Sequence, residues 1–242
     1  MPKRPIVDGE RLALPVEAYV AVKSGEFRPA VWETTERRPQ EAKKVDAFDL
    51  HVVGDVSGSM VHDGKLQAQR VAIAMVLEAM QELYDELLRM EPDVEYPLSI
   101  RTECLTFGTV VNQVKVLGVG LSEKERVKMY KELGHAPGST KDFLALEEIL
   151  SKIGKETELE LKTGKRKKLV VVTTDGESDN AGRLKKAIAD LRNKGAIVVG
   201  VGVTKEGEVV VLNYAPDGYP AERGTDLPVI FKKVLSKHLK DL

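Results

Sequence analysis

"FDLHVVGDVSGSM", Phe48 to Met60, decides how this chain is read. Phe48 to Asp55 reads as a central strand, rich in apolar residues and bounded by small polar ones. Beyond it, Ser57 and Ser59 follow a single carboxylate, Asp55. Strands commonly end in turn residues, so two serines one residue apart have an ordinary explanation. The same side chains also suit a nucleophile loop or a cation site, and the rest of the chain must choose among the three.

Working outward, apolar runs of strand length alternate with helical patterns. "KLQAQRVAIAMVLEAMQELYDELLRM" (Lys65 to Met90) predicts a long helix, with Val71, Met75, Val76, Leu77 and Met80 as its apolar positions. "PLSIRTECLTFG" alternates and reads as a second strand, and "VVNQVKVLG" follows after one short turn. So short a link forces an antiparallel hairpin. Helices are expected near Lys124 to Leu133 and Lys141 to Ile153. "KLVVVTTD" (Lys168 to Asp175) reads as a buried strand, "AGRLKKAIADLRNKG" as a helix closed by Gly195, "AIVVGVGV" as another buried strand, and Leu227 to Leu239 as a final helix. The charged run "GKETELELKTGKRKK" (Gly154 to Lys168) reads as a solvated loop.

Continuous apolar strands separated by helices predict an α/β fold. Its sheet is mostly parallel and covered by helices on both faces, and one antiparallel edge hairpin is compatible with that. Residues 46–242 form this domain. Residues 1–45 read as an N-terminal extension packed on it, with a short helix in "LPVEAYVAVKSG" and an edge strand carrying Trp32 in "FRPAVWETTERR".

Composition removes several classes. Charged residues make up 31% of the 242, yet the formal net charge is -1, so no global field argues for nucleic acid. The one cysteine, Cys104, excludes an internal disulfide and reads as a buried thiol in an apolar strand. No apolar run approaches ~18 residues, so no membrane span is expected. The start, "MPKRPIVDGE", has no signal-peptide core, and a cytoplasmic location is the expectation.

In open parallel sheets, ligands sit beyond the carboxyl ends of strands. Three polar segments lie in such places or can approach them: Asp55 to Ser59, "PGSTKD" around Thr140, and "TTDGESDN" around Asp175. Together they offer two carboxylates and three hydroxyls, with no His or Cys. Hard oxygen donors of this kind suit Mg²⁺ or Mn²⁺ rather than zinc or copper. Competing chemistries lack their parts. There is no GxxxxGK[ST] phosphate loop, no GxGxxG fingerprint after the first strand and no GxSxG elbow. The motif holds no base to activate a serine, and Ser57 stands where an aspartyl phosphatase would need its acid. Singly, Thr140 or Ser139 is an ordinary helix cap and Asp175-Gly176 an ordinary turn. In this order and at these strand ends, coincidence is the weaker explanation.

"DVSGSM", the Thr of "GST" before a helix, and "TTDG" resemble the von Willebrand factor A-type domain and its metal-ion-dependent adhesion site, DxSxS then Thr then Asp. The resemblance implies a doubly wound, Rossmann-like, mostly parallel sheet with one short antiparallel edge strand, and a metal set of Asp55, Ser57, Ser59, Thr140 and Asp175. Ser139 departs from the pattern, since many members have glycine there, and Lys141 is unusual company for a cation. The lead-in to the first strand is similar to bacterial intracellular members that work with MoxR-type AAA+ ATPases, such as the cobalt-chelatase subunit and the nitric-oxide-reductase activation protein. Other chelatase regions are absent here, so chelation is not implied.

The resemblance implies a protein-interaction module, not an enzyme. Bound Mg²⁺ or Mn²⁺ would take an Asp or Glu carboxylate from a protein partner, with an AAA+ ATPase the first to consider. The alternative is a metal-dependent phosphohydrolase, with Glu177, Asp179 or His62 supplying the proton chemistry.

Overall fold

The computed structural model describes residues 5–6, 11–12, 32–33, 45–90, 98–134, 138–176, 178–204 and 207–239. The chain divides into two units, Met1–Ala42 and Lys43–Leu242. In the first, β1 (Pro5–Ile6), β2 (Arg11–Leu12) and β3 (Trp32–Glu33) make a small antiparallel sheet in the order β1-β3-β2. Trp32 thus lies in a strand, as expected, but that strand is the central one of its small sheet and not an edge, with Ile6 opposite Trp32 on one side and Leu12 on the other. The helix expected in "LPVEAYVAVKSG", and most of the proposed extension, fall outside the described residues.

In the second unit, six strands pair side by side: β4 (Ala47–Asp55), β5 (Ser99–Phe107), β6 (Val111–Gly118), β7 (Arg166–Thr174), β8 (Ile197–Val203) and β9 (Gly218–Ala221). The order is β6-β5-β4-β7-β8-β9. Only the β5–β6 hairpin is antiparallel. The first three strands step one way from β4 and the next three step the other way. The sheet is therefore doubly wound, with its switch between β4 and β7.

Side chains alternate between two cores. Phe48, Leu50, Val52, Leu169 and Val171 meet α1 (Lys65–Met90), α2 (Glu123–Glu132) and α7 (Leu227–Leu239) on one face. Val53, Leu105, Phe107, Val170 and Val172 meet α3 (Asp142–Ser151), α4 (Lys155–Thr163), α5 (Ala181–Asn193) and α6 (Glu208–Asn213) on the other. Two covered faces are why these strands read as continuous apolar runs. Cys104 is fully buried, as its neighbours suggested. No helix among the described residues is long and apolar enough to cross a membrane.

The structure corrects three local readings. The bounds of α1 are as expected, but its buried face is Ala72, Ile73, Val76, Leu77 and Met80; Val71 and Met75 are 44% and 53% exposed. The run "AIAMV" is apolar on most sides, so periodicity alone does not orient it. The charged segment after Gly154 is not a loop. It forms α4, carries a Glu158–Lys162 pair one turn apart, buries Leu161 and ends at Gly164 in a left-handed conformation (φ 80°). Finally, β7 begins at Arg166 rather than Lys168, because its basic residues enter a buried ionic network.

That network crosses the sheet at the end remote from the strands' carboxyl termini. The Asp49 carboxylate accepts from Arg101 at 2.8 and 2.9 Å and from Lys168 at 3.1 Å. His51 Nδ1 lies 2.6 Å from Glu103 Oε2, and Lys168 Nζ lies 2.7 Å from His51 Nε2. An ammonium can only donate, so His51 Nε2 is the acceptor and the ring is the neutral Nδ1–H tautomer. Burial first, then the Lys168 charge, pushes the His51 pKa down against the pull of Glu103. Burial opposes ionisation of Glu103, but its bonds to His51 and Lys152 outweigh that and hold it at about 2.

Candidate functional site

Asp55 is the last residue of β4, and Asp175 follows the last residue of β7. Both therefore stand at the switch point, where parallel strands part and the loops leave in opposite directions. The β4–β7 ladder ends at Gly54 and Thr173, so the Asp55 backbone has lost its neighbour on that side. Gln69 of α1 replaces it. Its Oε1 accepts from the Asp55 N–H at 3.2 Å, and its Nε2 donates to the Asp55 carbonyl at 2.7 Å. The Thr173 hydroxyl lies 2.6 Å from the same Oε1. Gly54 makes room for this: a Cβ there would lie 2.9 Å from Leu133 Cδ2 and 3.2 Å from Gln69 Nε2.

The loop after Asp55 is held from both ends. Ser57 N–H donates to Asp55 Oδ1 at 2.7 Å, a local turn that brings the serine back over the carboxylate. A run of short turns extends from Gly58 to Gly64, with Asp63 in the left-handed region at φ 56°. Met60 is fully buried among Ile73 and its neighbours. Burying such a side chain is worth roughly 1.5–3 kcal/mol, which anchors the loop without fixing its polar rim.

The polar atoms then run in a chain. Ser57 Oγ lies 3.1 Å from Ser59 Oγ, Ser59 Oγ donates to Asp175 Oδ1 at 2.8 Å, and Lys65 Nζ donates to Asp175 Oδ2 at 2.7 Å. Thr174 Oγ1 donates to Asp55 Oδ2 at 2.6 Å. Hydrogen bonds thus join Asp55, Ser57, Ser59 and Asp175. Thr140 is brought in through its backbone instead. Gly58 N–H donates to the Gly138 carbonyl at 3.0 Å, and Thr140 exchanges bonds with Asp179, 2.9 Å from Asp179 N to the Thr140 carbonyl and 3.3 Å from Thr140 N to Asp179 Oδ1. α3 begins at Asp142 with Lys141 as its cap residue, so Thr140 precedes the helix without capping it through its side chain.

Burial is the main electrostatic fact. The Asp55 carboxyl is buried and pushed up to about 6, burial outweighing its bonds to Ser57 and Thr174, with the Asp175 charge adding to the rise. The bonds it receives come from neutral donors. A carboxylate in that position is relieved by a cation. Among the described residues no group of three or more His, Cys, Asp or Glu could hold an ion, so any metal here must rely on hydroxyls beside the two aspartates. Such an all-oxygen set fits a hard divalent cation.

Four residues at this site carry no signal in a motif search. Lys65 and Gln69 are buried polar side chains one turn apart on α1, but the stretch "KLQAQR" also carries Gln67 and Arg70, so nothing local singles the pair out. Thr174 is half of a "TT" that reads as ordinary strand. Asp142 is buried, pushed up to about 6 mainly by burial, and bonded to Ser178 and to Tyr214 Oη, so it ties the Thr140 segment to the segment after β7. Of the residues considered for proton chemistry, Asp179 is engaged with Thr140, His62 is exposed, and Glu177 lies outside the described residues.

A family model for the von Willebrand factor type A domain matches residues 49–215. Comparison with curated proteins by sequence gives no match. Among solved structures, the fold is similar to proximal thread matrix protein 1 from the mussel byssus. One structure of it has 18% identity and a TM-score of 0.56, covering 79% of this chain and 45% of that one. Another, described as having a zinc occupied MIDAS motif, has 18% identity and a TM-score of 0.58, covering 79% of this chain and 48% of that one. The match spans less than half the length of those chains, and at that identity the likeness concerns the fold alone.

Proposed function

Because this chain belongs to the von Willebrand factor type A domain family, whose domains are generally interaction modules, we propose that it binds a protein partner through a divalent cation. Asp55, Ser57, Ser59, Thr140 and Asp175 would hold Mg²⁺ or Mn²⁺ as the metal-ion-dependent adhesion site. The observation that carries this reading is the buried Asp55 carboxyl, pushed up to about 6 among neutral donors at the switch point. A bound cation would supply a positive, carboxylate-accepting centre at the sheet's edge. Ser57, Ser59 and Thr140 contribute oxygens without charge, so they hold a cation without cancelling it. The partner offers an Asp or Glu side chain, and the surrounding loops choose among partners, since any exposed carboxylate satisfies the ion. A MoxR-type AAA+ ATPase is the first partner to seek, on the strength of the sequence preceding β4.

Calorimetric titration of the metal-free protein with Mn²⁺ tests the site, with Zn²⁺ as competitor because the mussel protein's motif is described as zinc-occupied. Wild type should release heat and Asp55→Ala should not. Capture of partners from the native host should require Mg²⁺ and fail in EDTA. Recovery of the same proteins with EDTA, and by Asp55→Ala, refutes the metal bridge.

A further inference from the structure

The Asp175 carboxylate already has a cation against it. Lys65 is buried, its Nζ lies 2.7 Å from Asp175 Oδ2, and Ser59 Oγ occupies the other oxygen at 2.8 Å. Lys65 is the first residue of α1, where the helix dipole opposes positive charge, and burying an ammonium is costly without a paired carboxylate. One turn later on the same helix, Gln69 clamps the backbone of Asp55. Successive turns of α1 thus serve the two aspartates by different means, with a neutral amide for Asp55 and a charge for Asp175.

We propose, resting on the metal-site reading above, that Lys65 is a built-in competitor for the cation that makes metal binding and acidic-ligand binding cooperative. Asp55 and Asp175 together bring two negative charges when ionised, and Lys65 returns one. A divalent cation added to that set leaves it net positive by one charge, whereas without Lys65 the sum is zero. The ammonium therefore weakens binding of the metal alone, because any cation drawing on Asp175 meets a like charge at the same carboxylate. It also strengthens capture of the acidic ligand, because the filled site still attracts an external carboxylate. Metal without ligand is held loosely, and metal with ligand is held firmly.

The test is Mn²⁺ titration of the full chain, followed by the electron paramagnetic resonance signal of free Mn²⁺, with and without glutarate as a carboxylate probe. Wild type is compared with Lys65→Met and Lys65→Arg, and the melting midpoint of each metal-free protein is recorded. A neighbouring charge at this range changes ion affinity by about one to three orders of magnitude. Lys65→Met should therefore bind Mn²⁺ at least about tenfold more tightly than wild type. Lys65→Arg, which keeps the charge, should stay within about threefold of wild type. Glutarate should tighten Mn²⁺ binding in wild type and lose that effect in Lys65→Met. Binding by Lys65→Met alone, with none by wild type, also supports the proposal. Equal affinities in wild type and Lys65→Met overturn it while leaving the metal site standing. No Mn²⁺ binding by either overturns both. Should Lys65→Met fail to fold, Lys65→Gln makes the same comparison.

Discussion

Gln69→Leu isolates the device that finishes the sheet at the switch point. Gln69 is fully buried and its amide bonds both backbone groups of Asp55, at 3.2 and 2.7 Å. Leucine has similar bulk and no polar atoms, so the change keeps packing and removes the bonds. The Thr173 hydroxyl retains the Val53 carbonyl, 3.2 Å away, as an alternative partner. The Asp55 N–H and carbonyl have no such substitute, because the β4–β7 ladder stops one residue earlier. Two buried backbone groups left unsatisfied cost ~1–3 kcal/mol each, partly offset by the added apolar burial, so a loss of about 3 kcal/mol is expected. For a chain of this size that corresponds to a fall in Tm of ~6–12 °C. Urea unfolding monitored by circular dichroism measures it, with the m-value unchanged if only the native state is affected. Gln69→Glu should also be destabilising, since an ionised carboxylate cannot donate to the Asp55 carbonyl and places a charge beside the aspartate. Mn²⁺ affinity should fall in both variants as Asp55 loses its register. A loss under ~1 kcal/mol in Gln69→Leu, with metal binding intact, would show that Gln69 is a passive buried amide and that Asp55 is positioned by its loop.

Two further outcomes are expected. Chelation should leave the domain folded, because the two apolar cores do not depend on the ion; a cooperative loss of far-ultraviolet circular dichroism on adding EDTA would reassign the site as structural. His51 should make the protein acid-sensitive. Its folded pKa lies below the ordinary 6.5, so as pH falls below 6.5 the unfolded chain takes up a proton that the folded one refuses. Stability then falls with a slope approaching ~1.4 kcal/mol per pH unit, until the lower folded value is reached. In His51→Gln the amide can accept from Lys168 and donate to Glu103 without titrating, so the wild type should lose stability relative to this variant between pH 7 and 5. Parallel unfolding curves across that range would mean that Lys168 yields its bond to the ring without cost.

The sequence by itself determined the architecture and the loop that carries Asp55, Ser57 and Ser59 out of the central strand. Runs such as "KLVVVTTD" are apolar on both strand faces, which only a covered parallel sheet accommodates, and the link between β5 and β6 is too short for anything but a hairpin. Asp55, Ser57 and Ser59 are close in the chain, so their grouping is local and readable. Tertiary structure alone decided what stands against them. Asp175 is 116 residues from Ser59, and Lys65 is 110 residues from Asp175; their meeting depends on β7 pairing beside β4 and on α1 crossing close above Gly54. Likewise the charges of "GKRKK" look solvated in a linear reading, because a strand pattern cannot show that Lys168 lies beside Asp49 and His51 of the neighbouring strand. Periodicity reports which face of an element is apolar. It is silent about a buried charge, whose stability depends on a partner that the chain supplies from elsewhere.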